Sequence, residues 1–169
     1  PSAAHPLAGG LPRPQRPGGP RILVGGNGQR RTLALAARYA DVWNCFSVSA
    51  EGFHERSQTL NRLLAEAGRQ PADVRRTVML RAYLGRNDAE LEGRLAWRHD
   101  DPEFSGMSLA ETVEALRTKK HALIGTPEQM IAGIQTYAAA GAEEIMLHWF
   151  EQEDIDGLRA VAETVLPHV

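Results

Sequence analysis

Arg21-Ile-Leu-Val-Gly-Gly-Asn-Gly-Gln-Arg-Arg-Thr32, followed by Leu33-Ala-Leu-Ala-Ala-Arg-Tyr-Ala-Asp-Val-Trp-Asn44, is the stretch from which the rest of the chain can be placed. Ile22, Leu23 and Val24 form an unbroken apolar run that stops at two glycines, the pattern of a short buried strand. From Leu33 the period changes, and Leu33, Ala36, Ala37 and Ala40 fall at i, i+3, i+4 and i+7 on one helical face. A strand therefore ends in a glycine loop that opens a helix.

The first turn of a helix presents unpaired N–H groups and the positive end of the peptide dipole. Gly25, Gly26 and Gly28 allow close approach of a ligand to backbone, and Arg30 and Arg31 add donors that grip phosphate oxygens. Two readings follow: a loop for a phosphate-bearing ligand, or a tight strand-to-helix turn with two solvated arginines. Two other phosphate loops are set aside. Gly26-x-Gly28-x-x-Arg31 has arginine where a dinucleotide fingerprint needs its third glycine, and the next expected strand, Val42 to Phe46, ends without a ribose-binding acid. No Gly-Lys-Ser/Thr follows, so a nucleoside-triphosphate P-loop is excluded as well.

The 169 residues suffice for one domain with a core, and they fall short of the roughly 250 typical of a complete α/β barrel. A formal charge of −2 gives no sign of a nucleic-acid or anionic-membrane partner, and no apolar run approaches a membrane span. Cys45 is the single cysteine, so no internal disulfide framework forms and a reducing cytoplasm is the expected setting.

Residues 1–20 hold six prolines and four glycines and are expected to be an extended lead-in, without the apolar core of a signal peptide. The absence of an initiator methionine is read as a start within a longer gene product. Residues 21–169 are then expected to form one α/β unit. Asp41 to Phe46 reads as a second strand, and Ser49 opens a helix with Phe53, Leu60, Leu63, Leu64 and Ala67 inward. Thr77 to Leu84 is the third strand, with Asp88 expected to cap a helix carrying Leu91 and Leu95. Arg98 to Met107 is polar and reads as a surface excursion, its Asp100, Asp101 and Glu103 as solvated charge. Ser108 and Glu111 form a capping box, and Thr126-Pro127-Glu128-Gln129 is a helix start with another. Glu144 to Trp149 is the last strand. Asp154 or Asp156 opens a final helix with Leu158, Val161, Ala162 and Val165 inward. Alternating strands and helices imply parallel pairing, and four strands are too few to close an eight-stranded barrel; half of one fits.

The stretch from Arg21 to Asn44, with Ile124-Gly-Thr-Pro-Glu-Gln129, Tyr137-Ala-Ala-Ala-Gly141, Glu144-Ile-Met-Leu-His-Trp149 and Leu158 to Pro167, resembles the C-terminal half of luciferase-like flavin- or deazaflavin-dependent oxidoreductases, including those that use coenzyme F-420. Leu11-Pro-Arg-Pro-Gln-Arg-Pro17 is similar to the proline-rich approach of that family. The resemblance implies a TIM-type half-barrel whose cofactor, F-420 or FMN, lies over the carboxyl ends of the strands, and an oxidoreductase or monooxygenase acting on a small organic substrate. It maps the segment holding the cofactor phosphate onto Gly26, Asn27, Gly28, Gln29, Arg30 and Arg31. It also implies that Asn44 and His148 face the ring, and that the first four strands, with the usual catalytic acid or base, are absent. No catalytic residue is therefore carried over, and the fragment is expected to be inactive alone; its uncovered strand edges and apolar inner face predict either poor solubility or pairing with another copy or with the missing half. Two rivals remain: a non-catalytic half-barrel serving as a binding or assembly module, and a barrel enzyme acting on a sugar phosphate.

His148 reads as a packing or surface residue, or as a proton donor at the barrel mouth. The other histidines, at 5, 54, 99, 121 and 168, show no metal-ligand spacing, and no metal site is expected. Cys45 reads as a small buried hydrophobe and Trp43 as core; Trp149 is open between core and ring pocket. Lys119 and Lys120 suit the negative end of a helix.

Overall fold

The computed structural model describes residues 17–169, so most of the expected lead-in, including His5, lies outside the described residues. Five strands alternate with six helices: β1 Leu23–Gly25, α1 Thr32–Tyr39, β2 Val42–Phe46, α2 Ala50–Glu66, β3 Arg75–Leu84, α3 Asp88–Leu95, α4 Leu109–Lys119, β4 Leu123–Gly125, α5 Pro127–Ala139, β5 Glu144–His148 and α6 Ile155–Thr164. Every pairing is parallel, and the sheet is open. Its hub is the ten-residue β3, which pairs with β2 and β5 through its first part and with β4 through Ala82–Leu84.

One face of the sheet is covered by helices. Leu33, Ala36 and Ala37 of α1, Phe53, Leu60 and Leu64 of α2, and Met130 and Tyr137 of α5 pack on Trp43, Cys45, Val78 and Leu80. A smaller cluster of Tyr83, Leu91, Leu95, Phe104, Leu116 and Ile124 closes the far end of β3 under α3 and α4. Phe104 is fully buried there, so the polar excursion from Arg98 to Met107 is pinned at its centre. Asp101 pairs with Arg98 at 3.2 Å and Glu103 with Lys120 at 2.8 Å, so these acids are partnered rather than solvated. The side chains of His99 and Asp100 lie outside the described residues.

Other expectations are corrected. A fifth strand, β4, is too short at three residues to carry a periodic signal. Asn87, not Asp88, caps α3, its side chain accepting from the Glu90 N–H at 2.9 Å. Leu23, in register with Val42 on the face of the sheet that helices leave uncovered, and Ile22, just before this edge strand, are half exposed. Leu158 and Ala162 point outward, while Gly157, Ala160, Val161 and Val165 are buried. A Cβ at Gly157 would overlap Trp149, Arg94 and Asp154, and this close approach fixes the rotation of α6; at about 100° per residue, Leu158 is turned to solvent.

Candidate functional site at the carboxyl ends of the strands

Strand register sorts the side chains of the open face. Residues alternate between faces, so Trp43 and Cys45 enter the helical core while Val42, Asn44 and Phe46 lie on the open side. Cross-strand rows then run Gly25, Asn44, Thr77, Glu144, followed by Phe46, Met79, Met146, and at the carboxyl end Arg81 beside His148. Arg75 pairs with Glu144 at 3.0 Å, and Thr77 Oγ1 donates to Asn44 Oδ1 at 3.0 Å. Asn44 thus lies on the open face but two residues below the end of β2.

At the carboxyl end of β1 the chain leaves through Gly26, whose φ of +134° admits glycine only, and enters α1 by way of Asn27, Gly28, Gln29, Arg30 and Arg31. Thr32 sits close beneath: a Cβ on Gly28 would lie 3.0 Å from its hydroxyl, and one on Gly26 3.1 Å from its methyl. The loop is secured from behind. Gly26 N–H donates to the Asn44 carbonyl at 2.9 Å, and Trp43 Nε1 donates to the Gly26 carbonyl at 2.9 Å. Arg56 of α2 donates to the Asn27 carbonyl at 3.3 Å. The Asn27 side chain mimics a strand neighbour for the end of β2: its amide donates to the Phe46 carbonyl at 2.7 Å, while its oxygen accepts from Phe46 N–H at 3.0 Å and from the Cys45 thiol at 3.1 Å.

The front of the loop is open. Among the described residues no protein acceptor takes the N–H of Asn27, Gly28, Gln29, Arg30 or Arg31, and Gly28 through Arg31 are exposed. Helix α1 also begins without a side-chain cap or an acidic residue in its first turn. By contrast, α2, α3, α4 and α6 are capped by Ser49, Asn87, Ser108 and Asp154, and Gln129 reaches back to the Thr126 N–H at the start of α5. In the first turn of α1 the Leu33 N–H is taken by the Gly28 carbonyl at 3.1 Å, while the positive dipole end lacks the side-chain cap or acidic residue that the other helices carry.

Of the six loop residues singled out in the sequence, Gly28, Gln29, Arg30 and Arg31 are exposed, whereas both backbone groups of Gly26 and the Asn27 side chain are taken up in bracing the loop. Trp43 is core, stacked on Phe53 with centroids 5.5 Å apart, and it also braces the loop. Trp149 is partly buried, packed against the core and against Gly157 of α6, with its Nε1 buried and without a hydrogen-bond partner among the described residues. Cys45 is fully buried, and burial pushes its thiol up to about 11 against the opposing influence of Arg56. It is a poor nucleophile. His148 is exposed on the open face and stacks on Phe150 at 4.2 Å. Among the described residues no group of three or more His, Cys, Asp or Glu side chains is placed to hold a metal, and no helix is long and apolar enough to cross a membrane. Sequence reading passed over Arg56, Ser47, Arg81 and Phe150, which meet the site from distant parts of the chain and carry no local motif.

The sequence matches the family described as luciferase-like monooxygenase over residues 5–144. No curated protein matches it. Among solved structures, the monooxygenase RslO1 from Streptomyces bottropensis is 25% identical with a TM-score of 0.66, covering 94% of this chain and 51% of its own. The coenzyme F420-dependent tetrahydromethanopterin reductase from Methanopyrus kandleri is 14% identical with a TM-score of 0.62, covering 88% of this chain and 50% of its own. The oxygenating constituent of 3,6-diketocamphane monooxygenase from Pseudomonas putida, in complex with FMN, is 15% identical with a TM-score of 0.65 and covers 89% and 49%. The chain thus spans about half the length of each, and its open sheet corresponds to part of their barrels.

Proposed function

The chain belongs to the luciferase-like monooxygenase family, and we propose that the loop Gly26, Asn27, Gly28, Gln29, Arg30 and Arg31 holds the phosphate of a reduced FMN or F-420-type cofactor. The observation that carries this reading is the combination of a braced back and an open front: carbonyls engaged by Trp43 and Arg56, amides without protein acceptors, and an uncapped helix start flanked by two exposed arginines. The fit is chemical as well as spatial, since fixed backbone donors and guanidinium forks suit phosphate oxygens, whether of a monoester or a diester. A reduced flavin or deazaflavin bound there supplies hydride or, for FMN, oxygen chemistry to a small organic substrate, and this half of the fold contributes anchoring and orientation. Asn27 acts in this scheme through its backbone N–H, its side chain holding the loop to β2.

No residue described here is assigned as the catalytic acid or base, and the chain alone is expected to turn over no substrate. A second reading, a half-barrel that pairs with another copy, is favoured by apolar residues left exposed beside both open edges: Leu35 and Tyr39 on α1, Ile155 and Leu158 on α6. Sedimentation of the purified chain separates monomer from pair.

The test of the cofactor reading is titration with FMN, F-420 and a simple sugar phosphate. Replacing Arg30 and Arg31 together by alanine should weaken FMN at least tenfold with the fold unchanged by circular dichroism. Equal affinity of the double variant, or preference for the sugar phosphate over both ring cofactors, removes the reading.

A further inference from the structure

We infer that Arg81, Ser47, His148 and Phe150 form a second anion site at the mouth of the open face, built for the carboxylate of an organic substrate. This rests on the reading of the sheet as a cofactor platform and adds the class of molecule that shares it. Arg81 is half buried on β3, and its Nη1 donates to Ser47 Oγ at 3.0 Å. Among the described residues no carboxylate oxygen lies within ion-pair distance of it, and no other hydrogen-bond acceptor engages its fork. Its neighbours differ. Arg75 has Glu144, Arg86 and Arg94 share Glu90 and Asp156, Arg98 has Asp101, and Arg56 is spent on backbone carbonyls. A half-buried guanidinium with a single hydroxyl as its protein partner keeps its other donors free for an anion arriving from the open face.

The surroundings are shaped for that arrival. Among the described residues Ser47 is one of two non-glycine residues with positive φ, at +45°, held there by its N–H donating to the Met79 carbonyl at 3.0 Å. A left-handed serine at the end of a strand is an uncommon conformation, retained here in the residue that directs a hydroxyl at the Arg81 guanidinium. Arg81 also lies over the Phe150 ring, 6.0 Å from its centroid, and His148, its register partner on β5, stacks on the same ring. The planar fork suits a planar carboxylate, while Phe150 and the row of Phe46, Met79 and Met146 below offer an apolar wall for the carbon body. Two strand spacings, about 10 Å, separate β1 with its glycine loop from β3, so the two anion sites take different ends of the mouth.

The test titrates the whole chain with benzoate, its neutral isostere benzamide, and inorganic phosphate. Benzoate should bind at least tenfold more tightly than benzamide, and Arg81→Gln should lower benzoate affinity at least tenfold while leaving FMN affinity within twofold. The Arg30 and Arg31 double alanine variant should do the reverse. Should Arg81→Gln prove misfolded by circular dichroism, Ser47→Ala serves instead, with at least a threefold loss of benzoate affinity expected. Equal binding of benzoate and benzamide, indifference of benzoate to the variant read, or displacement of benzoate by lower concentrations of phosphate overturns the proposal. Loss of FMN binding with the benzoate pattern intact would overturn only the cofactor reading.

Discussion

The two ends of the strand mouth are built by opposite means. At β1 the surface offered outward is main chain, and the side chains of Asn27, Trp43 and Arg56 are turned to holding it in place. At β3 and β5 the surface is side chain, with Arg81, His148 and Phe150 projecting from regular strands or just beyond them. A main-chain site needs its support in the core beneath it, whereas a side-chain site can be altered with little effect on the fold. The first is therefore coupled to stability and the second is not.

Substitution of Trp43 tests this most severely. Trp43→Ala empties a fully buried position, removes the stack on Phe53 and frees the Gly26 carbonyl, and should cost about 3–5 kcal/mol in urea unfolding. Phe150→Ala, at a ring 37% exposed, should cost about 1 kcal/mol. Equal losses at the two positions would break the comparison. Asn27→Ala sharpens it, because the backbone N–H and carbonyl of Phe46 both lose their partner; a destabilisation of about 1–2 kcal/mol, with a several-fold loss of FMN affinity, is expected.

The smallest effect concerns Cys45 at the base of the brace. Its thiol, raised by burial from 9.0 to about 11, stays protonated in the folded chain while the unfolded chain releases its proton near its ordinary value. The stabilisation is whole below about pH 9 and is lost as pH rises toward 11, with a slope of at most about 1.4 kcal/mol per pH unit. Cys45→Ala should flatten the stability curve through that window, as measured by urea unfolding at stepped pH.

The same contrast explains what could be read from the sequence. Glycines 25, 26 and 28 and the change of period at Leu33 lie within a dozen residues, so the loop and its helix were legible locally, as were the capping boxes of α4 and α5. The side-chain cluster was not, because Ser47, Arg81, His148 and Phe150 meet only through parallel register, and arginine at a strand end is an ordinary residue until its neighbours are known. The inward role of the Asn27 side chain was hidden for the same reason: its partners are on β2. The misassigned face of α6 has a local cause, since the apolar pattern allowed two rotations and close contact at Gly157 chose between them.

Arg56 carries a consequence beyond bracing. Its guanidinium joins the Asn27 carbonyl to the Gly52 carbonyl in the first turn of α2, at 3.3 and 2.7 Å, so the shape of the loop is set by bonds within the chain itself. Capture there would require no folding of the segment, and association should follow one exponential phase whose rate rises in proportion to ligand concentration, without a plateau.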